Sequence, residues 1–364
     1  MPRLLPCLLA LSSLLVGSTP GRGDELSERD RQMVDRGLEF LARVQHRDGH
    51  WEANGGHYPT AMTALAGMAL LMEGSTIREG RYCDNVRRAV DWFMERTSPT
   101  GLIGNTRHPT DAERYMYGHG FGMLFLASAY GEEEDADRRQ RLEKILTKAV
   151  EFTGKAQTNR GGWGYLSAAD GQNFDEGSVT VTQLQALRAA KNAGIVVPKS
   201  IIDNAVKYLH DCTTERGGVI YSLAYGGMAG NGNERPSLTA AAICCAYSAG
   251  DYNSKYAQKW IKYVQHAIPI DKTGHDTFHW EYTHYYFAQV NYMLGEDGCA
   301  KLFPNEKGEA LKWSKYKEVI FDFLRSRQAQ DGSWNISNVG PVYTTACCLG
   351  ILQLDNATLP IHQR

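Results

Sequence analysis

The chain has 364 residues, 43% hydrophobic and 22% charged, the make-up of an ordinary globular protein with ample material for a core. Its 39 Lys and Arg face 41 Asp and Glu, for a formal net charge of -2. With no basic stripe along the chain, nucleic acid is excluded as a partner class.

The N-terminus reads as a secretory signal peptide. Arg3 precedes an apolar run over residues 4–16, and small and turn residues (Gly17, Ser18, Thr19, Pro20, Gly21) follow it. The run is short for a membrane span. We therefore expect removal of residues 1–23, cleavage within 17–23 and a mature protein exported to the periplasm or beyond. Membrane contact stays open, with no transmembrane helix after signal removal. Of the eight cysteines, Cys7 lies in the leader, and Cys244–Cys245 and Cys347–Cys348 are adjacent pairs in apolar runs. An odd remainder with adjacent pairs is not a disulfide framework, and no C-x-x-C supports structural zinc. No cofactor and no metal site are assigned.

Beyond the leader, two kinds of helix alternate. Amphipathic helices are expected over residues 29–46, 85–96, 141–157, 200–213, 254–267 and 316–329. Between them lie apolar helices beginning near Pro59, Tyr117, Ser178, Pro236, Tyr282 and Val342. Pro59 and Pro236 stand where a first helical turn tolerates proline. Thr63, Thr182, Thr239 and Thr345 fall at equivalent places in four of these apolar helices. The junctions repeat: QHRDGHW from Gln45, QTNRGGW from Gln157 and QAQDGSW from Gln328 all read Gln-x3-Gly-x-Trp. Degenerate copies begin at Arg96, Cys212 and Gln265. Six helix pairs, each unable to bury its apolar side alone, predict an all-α fold closed into an α6/α6 toroid. The domain is expected over 24–355, with a short tail at 356–364. Trp51, Trp163 and Trp334 are assigned to repeat packing.

The Gln-x3-Gly-x-Trp junction resembles the QW motif of squalene and oxidosqualene cyclases, and six helix pairs look like that fold and the protein prenyltransferase β-subunits. GHYPTAMTALAG, YMYGHGF, FDEGSVTVTQ, THYYFAQ and the LPIHQR end are similar to a family of exported bacterial proteins with prenyltransferase/squalene oxidase repeats. The resemblance implies a toroid with an aromatic-lined cavity for a small hydrophobic or isoprenoid ligand. The D-x-D-D acid motif of class II terpene cyclases does not occur, nor do the zinc ligands of the prenyltransferases.

Closure of the ring is expected to bring the loops entering the apolar helices to one cavity mouth. Asp175 and Glu176, at the start of one apolar helix, are the leading acid/base candidates, with helix capping as their plainer role. His119, His284 and Glu281 are further catalytic candidates. His57, Tyr58, Tyr117, His279, Tyr285 and Tyr343 are expected to bind substrate, their rings facing cations or sugars. Glu234 and Arg235 stand at an equivalent position. His275, His279, Glu281 and His284 form a dense ligand-type group, more in keeping with a hydrogen-bonded lining than with a metal. Three functions follow: a terpenoid-cyclase-like or prenyltransferase-like protein acting on or binding a neutral isoprenoid or polyprenyl lipid, a glycan-active hydrolase or lyase, or a non-catalytic binding or scaffold protein.

Overall fold

The computed structural model describes residues 26–171, 173–224, 233–272, 279–305 and 310–363. The expected signal segment and His275 lie outside the described residues.

Among the described residues the long helices alternate as the periodicity demands. The outer set is α1 (Glu28–Val44), α3 (Cys83–Arg96), α5 (Ala136–Ala156), α7 (Lys199–Asp211), α9 (Lys255–Ala267) and α11 (Trp313–Arg327). The inner set is α2 (Pro59–Glu73), α4 (Tyr115–Tyr130), α6 (Gly177–Asn192), α8 (Pro236–Ser248), α10 (Trp280–Leu294) and α12 (Pro341–Leu352). Helix α1 shows why an outer helix stays outside: it buries Met33, Val34, Leu38 and Leu41, one stripe at helical spacing, and leaves the other face charged. Helix α2 buries everything except Ala61 and Glu73, as a helix surrounded by neighbours must.

Each inner helix packs on the inner helix before and after it, and α12 packs on α2, so the ring closes. The outer helices fill the grooves around that ring. The protein is an all-α, α/α toroid. A turn at Pro360–His362 lies against α6, with His362 buried.

The repeat motif is the joint between pairs. Gln45 Nε2 donates to its own loop at Gly49 O (2.8 Å) and to Asn85 O in the next outer helix (3.0 Å). Gln157 does the same to Gly161 O and Ile201 O, and Gln328 to Gly332 O and Met33 O. The last joint thus ties the sixth pair to the first. The motif glycine permits the approach: Gly332 has φ +92, and an added Cβ would overlap the Arg36 carbonyl. Trp51, Trp163 and Trp334 are fully buried, each donating from Nε1 to an outer-helix carbonyl at 2.8 Å.

A threonine in the inner helix completes four of the joints. The backbone N–H of Trp51, Trp163, Val219 and Trp334 donates to the hydroxyl of Thr63, Thr180, Thr239 and Thr345. The sequence alignment chose Thr182 where the structure uses Thr180. The segment Thr180-Val-Thr182 offers two hydroxyls, and Thr182 instead bonds back to Val179 O.

Candidate functional site

Two inner helices start earlier than expected, at Tyr115 and Trp280, so Tyr117 and Tyr282 lie inside their first turns. This sets which way each candidate faces. The wall position lies two residues before the joint threonine, at Tyr117, Ser178, Glu281 and Tyr343 in four consecutive or neighbouring inner helices.

Around this position the structure gathers a polar cluster. Glu176 is fully buried and caps α6, its carboxylate accepting from Ser178 N (2.7 Å) and Val179 N (3.1 Å). It also accepts from Ser178 Oγ and, at 2.7 Å, from the hydroxyl of Tyr117. Burial disfavours its charge more than these donors favour it, so its pKa is raised above the ordinary carboxyl value. Tyr117 is half-buried and also bonds Ser178. Its ring stacks on Tyr165 at 5.8 Å, and the Tyr165 hydroxyl bonds that of Tyr221. Arg114 lies over Tyr165 at 4.6 Å.

An aromatic wall continues from this cluster. Tyr282 packs edge-on against Tyr286 at 4.8 Å. Burial first, with Glu176 nearby, drives the Tyr282 hydroxyl well above its usual pKa. The hydroxyls of Tyr282 and Tyr286 are buried without a hydrogen-bond partner among the described residues. Burial raises the Tyr343 hydroxyl as well. Glu281 is buried and accepts from Thr344 Oγ1 at 2.9 Å.

Several sequence candidates do not join this group. Asp175, next to Glu176, turns toward the outer layer. It is fully buried, ion-paired with Arg160, and accepts from Tyr208 (3.0 Å), Ser222 (3.2 Å) and Leu223 N (2.9 Å). The extended backbone at the cap sends successive side chains to opposite sides. His119 occupies the joint-threonine position of α4: its Nδ1 accepts from Ile103 N and its Nε2 bonds Thr153 of α5 at 2.8 Å. His284 likewise faces an outer helix, bonding Tyr316 at 3.0 Å. Desolvation lowers the pKa of each to about 3, so both are neutral core histidines. The expected convergence of His119, Asp175 and His284 on one mouth therefore does not hold. Tyr285 rests against Gly350 of α12, between inner helices. Tyr58 and His279 occupy the N-cap positions of α2 and α10 with positive φ, 54 and 60, and His57 and His279 are exposed beside their helix starts.

Sequence reasoning missed Tyr165, Tyr221, Ser178 and Arg114. A signal existed for two of them: Tyr165 and Tyr221 each stand two residues after the joint position of adjacent repeats, Trp163 and Val219. A separate cavity of about 390 Å³ opens at the other ends of α6, α8 and α10, lined by Arg188, Tyr247, Met293, Lys301 and Ile361.

No family model matches the chain. Over 86 residues it is 34% identical to human lanosterol synthase, spanning 24% of this chain and 12% of that protein. Among solved structures, an alpha-1,6-mannanase from Salegentibacter superposes with a TM-score of 0.63 at 11% identity, covering 90% of this chain and 99% of that one. A type II terpene cyclase from Scytonema in complex with its product merosterolic acid A gives 0.58 at 15% identity, covering 91% and 98%. A D-mannose isomerase gives 0.55 at 10% identity, covering 90% and 99%. These likenesses show the toroid fold.

Proposed function

We propose that this chain is an exported toroid of the squalene-cyclase repeat type that binds a neutral isoprenoid with a polar head, such as a polyprenyl lipid. The observation that carries this reading is the aromatic cluster: Tyr117, Tyr282 and Tyr343 are half-buried on the inner helices, and the Tyr282 hydroxyl is buried without a partner among the described residues beside the Tyr117–Glu176 pair. An isoprenoid tail lies against the rings, with its oxygen head at the Tyr117 hydroxyl. Tyr117 is the member of the pair that a ligand reaches. Glu176, sealed beneath it, is a positioning residue that acts through the Tyr117 hydroxyl. The local likeness to lanosterol synthase and the terpene-cyclase fold neighbour support this choice.

A glycan is the second reading, favoured by the hydroxyl pair of Tyr165 and Tyr221 beneath Arg114 and by the mannanase and mannose isomerase neighbours. Glycoside hydrolysis uses two carboxyl groups flanking one bond, and the adjacent Asp175 and Glu176 are instead each buried in a separate set of structural bonds. A glycan-active hydrolase or lyase would therefore draw on residues other than the Asp175–Glu176 pair. Native mass spectrometry of the protein incubated with a long-chain polyprenol or with a manno-oligosaccharide separates the two. Polyprenol adducts lost in Tyr117→Phe support the first, and adducts with the sugar alone support the second. Export is checked by N-terminal sequencing of secreted or periplasmic material, expected to begin near residues 18–24; intact Met1 in the cytosol contradicts it.

A further inference from the structure

The first repeat joint carries side chains that the joint itself does not use. Gln45, Gly49 and Trp51 make the same bonds as their counterparts in the third and sixth repeats. The intervening positions differ. His46, His50 and Glu52 stand where the third repeat has Thr158, Gly162 and Gly164 and the last has Ala329, Ser333 and Asn335. The fold therefore works without these three residues, and their chemistry is free for another purpose.

They converge. One ligand atom from each of His46, His50 and Glu52 lies within 4.8 Å of the others, the only such trio among the described residues. His46 Nε2 is 3.5 Å from Glu52 Oε2, and His50 Nε2 is 3.0 Å from Glu52 Oε1. Donors bound to one tetrahedral zinc at about 2.0–2.2 Å stand roughly 3.3–3.5 Å apart, so little movement is needed. The two imidazoles stack at 4.2 Å, which places both Nε2 atoms on one side.

A second arrangement points the same way. His50 Nδ1 bonds Asp48 Oδ1 at 2.5 Å, and Asp48 is held in turn by Arg96 at 3.1 Å. His50 also stacks on the buried Trp92 at 5.6 Å. A carboxylate on Nδ1 fixes the proton there and leaves the Nε2 lone pair for a metal, the outer-shell pattern of zinc-bound histidine. That nitrogen stands 3.0 Å from a Glu52 oxygen, a separation that a metal ion or a proton can bridge.

We propose that His46, His50 and Glu52 form a divalent transition-metal site, best suited to Zn²⁺, with Asp48 orienting His50 and a fourth position open to solvent or an anionic ligand. His46 is exposed, which gives the ion a route in.

The test is isothermal titration of the untagged, metal-stripped full-length mature protein with zinc chloride at neutral pH, with elemental analysis after dialysis. One equivalent is expected. His46→Ala and His50→Ala should each weaken binding at least tenfold, and Asp48→Asn about 10–100-fold. Circular dichroism checks that each variant is folded, and exposed His46 gives the variant least able to disturb the core. Absence of zinc uptake by the wild type overturns the proposal. Undiminished uptake by folded His46→Ala and His50→Ala overturns it too.

Discussion

Replacing Trp163 by alanine measures what one repeat joint contributes. The side chain is fully buried and its Nε1 donates to Thr153 O at 2.8 Å. A buried Trp side chain removes about 200 Å² from water, worth about 5 kcal/mol at 25 cal/mol per Å². The orphaned Thr153 carbonyl adds about 1 kcal/mol. Relaxation of the surrounding helices recovers part of this, so the net loss should be about 3–5 kcal/mol. The Trp163 N–H bond to Thr180 survives the change, because it uses backbone. Guanidinium denaturation followed by circular dichroism reads the loss. Trp163→Phe, which keeps most of the ring but loses the Nε1 donor, should lose clearly less. If Trp163→Ala unfolded at the wild-type midpoint while abolishing ligand binding, the joint would be a binding element and the packing argument would be wrong.

Other outcomes follow from the same geometry. Gly332→Ala should destabilise well beyond the ~1 kcal/mol expected for positive φ alone, because its Cβ would meet the Arg36 backbone, whereas Gly171→Ala has φ +86 but open space and should show only the backbone cost. Thermal melts of the two variants give the comparison, and equal effects would remove the steric argument. His119 is neutral in the fold, with its pKa lowered to about 3, and protonates near 6.5 when unfolded. The unfolded chain thus binds more protons between these values, so stability present above pH 6.5 is lost as pH falls toward 3. His119→Thr should reduce the slope of unfolding free energy against pH in that window by about one proton, and an unchanged slope would show that His119 is charged in the fold. Arg160→Ala strips one charged partner from buried Asp175, leaves it three donors, and should cost about 2 kcal/mol in urea unfolding.

The fold was legible because its signals are local and repeated. Charged and apolar stripes at helical spacing separate outer helices such as α1 from inner ones such as α2, and three copies of one joint fix the pairing. Side-chain direction was less legible. His119, between two glycines, resembles a ligand contact in sequence. Aligned on the joint, however, Tyr117-Gly-His119 matches Ser178-Val-Thr180 and Tyr343-Thr-Thr345, which places His119 outward and Tyr117 on the wall. Asp175 and Glu176 are neighbours in sequence, yet an extended cap residue parts their carboxylates. Cyclic order alone brings loops to one end of a ring; it does not say which side chain on each turn faces the centre. The His46–His50–Glu52 group was overlooked because its residues were absorbed into the repeat motif, although comparison of the three motif copies isolates them.

The central claim is that the wall beside Tyr117 and Glu176 is a ligand surface for a neutral isoprenoid. Titration of a long-chain polyprenol into the wild type, Tyr282→Phe and Tyr117→Phe, read by quenching of intrinsic fluorescence and confirmed by native mass spectrometry, tests it most directly. The account predicts saturable one-to-one binding to the wild type, weakened about fivefold or more by loss of either hydroxyl, roughly the 1 kcal/mol of one hydrogen bond, with both variants folded by circular dichroism. Binding that is absent, or that is identical in all three folded proteins, contradicts it.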